Sequence, residues 1–194
     1  ILNKSNFDKN IINDDIIDII FKLGNKDLIY KFLPFFNSNN LNNKILIDEL
    51  INNENYETLD LIKDKIDTDL LNSNLLLKIC KFGNIKFIDW FLNLNLDYNN
   101  YINIAFNTLI LYGHYDQSIY FYEKKNHKDL IDLADNNFHL FFEIVKNNNL
   151  KMVHWFLENF DDINNIQFLI YIELQDNSYQ LIKYDNHEIL NIVI

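Results

Sequence analysis

This 194-residue sequence predicts an all-α fold, a solenoid of about six stacked helix-turn-helix repeats. Three observations predict it. The only three glycines, Gly24, Gly83 and Gly113, each stand between two short apolar runs. Their spacing fits a period of about thirty residues with one unit skipped. With each glycine as position zero, apolar columns recur at helical offsets on both sides.

The first repeat, 14–43, places Ile17, Ile20 and Phe21 before Gly24, then Ile29 and Phe32 after it. Offsets of seven, four and three residues before the anchor, and five and eight after it, are helical spacing. Each repeat is therefore two helices of about ten residues, broken where the chain needs a positive φ that glycine adopts at no steric cost. The second repeat, 44–72, is anchored at Glu54 and reads Ile47, Leu50, Ile51, Leu59 and Ile62. Glutamate is the poorest residue for such a turn, so this anchor rests on the columns alone. The third, 73–102, reads Leu76, Ile79, Cys80, Ile88 and Phe91 around Gly83, and the fourth, 103–137, reads Phe106, Leu109, Ile110, Ser118 and Phe121 around Gly113. The fifth, 138–165, anchors at Asn148 with Phe141, Ile144, Val145, Val153 and Phe156. The sixth, 166–194, anchors at Asp176 with Leu169, Ile172, Glu173, Leu181 and Tyr184. Polar, asparagine-rich connectors such as "NSNNLNNK" read as loops and helix caps. No repeat can bury its apolar face alone, so residues 1–194 form a single array stabilised by its interfaces and expected to be part of a longer one.

One step is longer. Gly113 to Asn148 is 35 residues, and the excess lies in "EKKNHKDLIDLADNN". Leu130, Ile131, Leu133 and Ala134 have helical spacing there, which predicts an extended second helix or an extra helical turn projecting from the array.

The segments "LLLKICKFGNIKFIDWFL", "FNTLILYGHYDQSIYFY" and "FFEIVKNNNLKMVHWFLE" resemble ankyrin repeats. They are most similar to the degenerate form of about thirty residues found in giant DNA viruses of amoebae. The resemblance rests on the pairs Gly24-Asn25, Gly83-Asn84 and Gly113-His114 and the apolar run after each, and it covers roughly residues 14 to 185. The Thr-Pro-Leu-His start of the family is absent; nine residues before the anchors stand Asp15, Ile45, Asn74, Ile104, His139 and Gln167. Simple loops are therefore expected between repeats instead of β-hairpin fingers. Tetratricopeptide repeats are the alternative, but their Trp, Leu-Gly and Tyr positions are not matched.

Composition narrows the function. Net charge is −11, and all 17 basic residues are lysine. Without arginine's bidentate fork, and with a surplus of carboxylates, nucleic acid is not expected as a partner. No apolar run approaches the roughly 18 residues of a membrane span. One cysteine, Cys80, allows no internal disulfide, and its core column predicts a buried structural thiol. The histidines His114, His127, His139, His154 and His187 show no metal-ligand spacing; His114 is read as a turn cap. Asp14-Asp15 and Asp161-Asp162 read as helix caps in connectors, and glycines this far apart make no phosphate loop. The chain is thus not expected to be an enzyme, to carry a cofactor or metal, or to take a small-molecule substrate.

The resemblance implies binding of another protein on a concave face lined by first helices. Offsets of five, two and one before the anchor point outward there. Candidate partner-binding residues are Lys78, Lys81 and Phe82, then Thr108, Leu111 and Tyr112, then Glu143 and Lys146. Aromatics beside lysines have the composition of a binding hot spot; Phe82 and Tyr112 packing beneath the turn is the alternative. The lysines predict a local reversal of sign favouring an acidic or amphipathic segment. A protein–protein scaffold or adaptor is the expected function, cytoplasmic (host cytoplasm if viral), with nucleus or virion compatible. A virion-associated assembly component that binds its own copies is the alternative.

Overall fold

The computed structural model describes residues 13–36, 44–94, 96–124, 127–133, 135–147 and 149–160. The sixth repeat, with its anchor Asp176, the fifth anchor Asn148, and Asp161-Asp162 lie outside the described residues. The described residues are all-α, with ten α-helices and no strand. They run α1 Asp14–Lys22, α2 Lys26–Phe32, α3 Lys44–Asn52, α4 Tyr56–Ile62, α5 Ser73–Phe82, α6 Ile85–Leu92, α7 Ile102–Leu111, α8 Tyr115–Tyr122, α9 Asp135–Lys146 and α10 Leu150–Asn159. Consecutive helices pair as five hairpins. The chain divides into two compact units, 1–98 and 99–194. In the first unit α1 packs on α3 and α3 on α5, while α4 packs on α6; in the second α7 packs on α9.

The hairpin turn has one geometry. Gly24, Glu54, Gly83 and Gly113 have φ of 61°, 53°, 71° and 79°, and Glu54 is the only non-glycine among the described residues at positive φ. At three turns the residue after the anchor donates its N–H to the carbonyl five residues back: Asn55 to Leu50 at 2.8 Å, His114 to Leu109 at 2.8 Å and Asn149 to Ile144 at 3.3 Å. That bond closes a Schellman motif and satisfies carbonyls left over at the end of the first helix.

The same residue then starts the second helix. Asn25, Asn55, Asn84 and Asn149 each accept, through the side-chain carbonyl, a backbone N–H of the next turn at 2.9–3.3 Å. Asparagine suits both tasks, because its short side chain reaches the N-terminal donors of a helix. His114 holds this place before α8 and makes no side-chain cap bond. Asp14 and Asp15, read above as connector residues, instead open α1 behind the N-cap Asn13.

Glu54 is the strained member of the set. A side chain at left-handed φ costs roughly 1–2 kcal/mol, partly offset by the greater unfolded freedom of glycine. Glu54→Gly is expected to raise stability by about 0.5–1 kcal/mol in urea unfolding. A loss of stability would contradict the strain.

The columns form the core. Every described member of the first four columns is buried, Ser118 included; in the fifth, Ile62, Phe91, Phe121 and Phe156 are buried and only Phe32 is partly exposed. Ser118 sits in an apolar column because its Oγ donates back to the Tyr115 carbonyl at 2.7 Å. Aromatic rings tie hairpins together, as with Tyr56 on Phe87 at 6.1 Å and Tyr122 on Trp155 at 5.0 Å.

Beyond the second helices the chain returns to the core. Single 3₁₀ turns at Leu33–Phe35 and Lys63–Lys65 lead to buried Phe36 and Ile66, and Phe36 lies 5.4 Å from the Phe21 ring. Tyr98 reaches Phe91 at 5.9 Å, and Phe160 stacks on Phe156 at 6.0 Å. The long step before α9 uses the same device. α8 is not extended: it ends at Tyr122, and the extra element is one 3₁₀ turn, His127–Asp129. Nor does this turn project. His127 is buried, its Nδ1 lies 2.6 Å from the Phe121 carbonyl, and its ring lies 4.4 Å from Phe121; Ile131 and Leu133 are buried as well.

Candidate partner-binding face

The predicted face is unevenly exposed. On α5 Lys81 is exposed and Phe82 half-buried; on α7 Leu111 and Tyr112 are exposed; on α9 Lys146 is exposed. The third predicted position is less open. Lys78 and Glu143 are half-buried, and Thr108 is buried at 9% exposure. Thr108 is therefore largely shielded from solvent. Its Oγ1 donates to the Ile104 carbonyl at 2.7 Å, the back-bond that a hydroxyl makes within its own helix. Lys78, Lys81 and Phe82 belong to the first unit, and the other five predicted residues to the second.

The expected reversal of sign is cancelled by pairing. Lys78 Nζ lies 2.7 Å from Asp48 Oδ1 on α3, and Lys22 Nζ lies 3.4 Å from Asp18 and 3.8 Å from Glu49. Lys146 lies 3.4 Å from Glu143 on its own helix. Pairs this exposed contribute little stability, but each neutralises its lysine as a beacon for an acidic partner.

What remains open on α7 is apolar. Ile104, Leu111 and Tyr112 are 49%, 49% and 55% exposed, and Tyr101 beside them is also exposed. Positions 101, 104, 108, 111 and 112 fall on one helical stripe by their three- and four-residue spacing. The stripe lies within residues 98 to 115, the longest stretch of the sequence without Asp, Glu or Lys. Composition did not single out Ile104, although the uncharged stretch was there to be read.

The other chemistry is structural. Cys80 is fully buried in α5, and burial pushes its thiol up to about 12, far from reactive thiolate. Burial also raises the Tyr98 hydroxyl, and that of Tyr115, where a hydrogen bond with Asn147 acts in the opposite sense. Among the described residues no three His, Cys, Asp or Glu side chains converge as a metal site would require, and no helix is long and apolar enough to cross a membrane. Open grooves run between successive hairpin turns, one lined by Lys22, Gly24, Asn53 and Glu57 and its counterpart by Gly113, Asp116, Asn149 and Lys151. Compared with family models, curated proteins and solved structures, the chain matches none of the three.

Proposed function

We propose that this chain is a non-catalytic protein–protein interaction scaffold, an ankyrin-like solenoid that engages its partner through the outward face of its first helices. The repeated left-handed turn, the asparagine caps after it and the serial packing of first helices support the ankyrin-like reading. One observation carries the function: α7 holds Ile104, Leu111 and Tyr112 about half exposed on a stripe with no charge. Apolar and aromatic side chains held in water on a rigid element are what a binding hot spot is made of. Such an adaptor works by surface complementarity.

Affinity capture from native lysate tests it. The parent chain is expected to retain a partner that Leu111→Asp loses while its helical circular dichroism is unchanged. An identical set of captured proteins would refute binding on this face. Self-association as an assembly component is the weaker reading, because a net charge of −11 sets copies against one another. Light scattering across a concentration series separates the two: a scaffold stays monomeric.

A further inference from the structure

On the reading that α7 binds a partner, we infer that its occupant is an amphipathic helix with basic flanks. The shape of the stripe argues for a helix. Ile104 and Leu111 stand seven residues apart, two turns or about 10 Å. Between them lies Thr108, buried and with its hydroxyl already bonded, a low point between two apolar ridges. A side chain from a helix crossing α7 fits such a point, flanked by neighbours three, four and seven residues away.

The face also selects against an extended segment. It offers side chains only, since the backbone of α7 is spent on its own hydrogen bonds. A strand laid there would strip water from its amides and find no partner for them, whereas a helix satisfies its own.

Charge argues for the flanks. Residues 99–194 carry six lysines and thirteen carboxylates. Each described lysine of this unit is already engaged: Lys146 with Glu143, Lys151 with Asp116 at 2.6 Å, Lys124 over the Tyr120 ring at 4.3 Å and Lys128 over Tyr122 at 5.5 Å. Asp132 stands at one end of the stripe, its backbone N–H held by Asn103 at 3.0 Å, next to Ile104. A partner helix with lysine or arginine on its margins gains steering from this surplus, and one with carboxylates is repelled.

The full chain is titrated into three fluorescein-labelled peptides of about 18 residues and read by anisotropy. One has leucines at helical spacing with lysine flanks, one has the same leucines with glutamate flanks, and one has the first composition scrambled. The lysine-flanked amphipathic peptide is expected to bind about tenfold tighter than the other two, and Ile104→Asp and Leu111→Asp each to weaken it about tenfold. Should either variant lower the melting point, Tyr112→Ala, at a position 55% exposed, carries the same comparison.

Equal binding of the scrambled peptide would reduce the site to charge alone and overturn the inference. Equal binding of the glutamate-flanked peptide would remove the basic requirement, and dimers of the free chain abolished by Leu111→Asp would make a second copy the occupant. A partner captured through α7 that presents no basic amphipathic helix would overturn this inference and leave the binding face standing. Capture unchanged by Leu111→Asp would remove the face itself.

Discussion

Phe91→Ala is expected to destabilise the chain by about 3–5 kcal/mol, the range for emptying a buried phenylalanine site. Phe91 is 1% exposed in α6, eight residues past its anchor, with Tyr98 packed on it at 5.9 Å. The loss is a large share of the roughly 5–15 kcal/mol that holds a domain folded. Phe32 occupies the same register position in the first hairpin but is only partly buried, so Phe32→Ala is expected to cost less than half as much. Urea unfolding of both variants checks the register. Equal losses, or none for Phe91→Ala, would refute it.

Alkaline pH is expected to attack the third hairpin through Cys80. In the unfolded chain this thiol ionises near its ordinary 9.0, while burial holds it protonated up to about 12 in the fold. Below pH 9 both states carry the proton and stability is unaffected. Between 9 and 12 only the unfolded chain loses it, so folding weakens by about 1.4 kcal/mol per pH unit. Relative to pH 8, the parent is expected to lose about 2–3 kcal/mol more at pH 11 than Cys80→Ala does. Subtraction matters, because the hydroxyls of Tyr98 and Tyr115 shift in the same direction in both proteins. Parallel pH profiles would show that the thiol is solvated in the fold.

The helix pairs and their core were legible because each column repeats, so a single misfit such as Ser118 does not erase it. Glu54 was located by its columns against its own propensity, and the left-handed φ there shows tertiary packing overriding local preference. Phe36, Ile66 and Phe160 escaped because their column is interrupted: Asn95 and Lys125 hold the same place after Gly83 and Gly113. They nonetheless share an offset of twelve from their anchors, a column that could have been tested. The run Leu130 to Ala134 looked helical by spacing, but His127 ends the matter by reaching back to the Phe121 carbonyl at the end of α8. On the face, Leu111 and Tyr112 followed from helical phase alone. The lysine pairs did not, since Lys78 meets Asp48 across thirty residues and only the packing of α3 on α5 brings them together.

The uncharged stretch from 98 to 115 has a further cost, felt before the protein is folded. Ile102, Ala105, Phe106, Leu109 and Ile110 are buried in the native hairpin, so in the nascent chain they join Ile104, Leu111 and Tyr112 in one sticky, β-prone segment. Asp97 and Asp116 bracket it as gatekeepers, the nearest charges on either side. Folding of the second unit is thus also what keeps the chain in solution. Substitutions that loosen this unit should register first as a lower yield of soluble protein on expression, before any weakening of the folded protein's affinity is measurable.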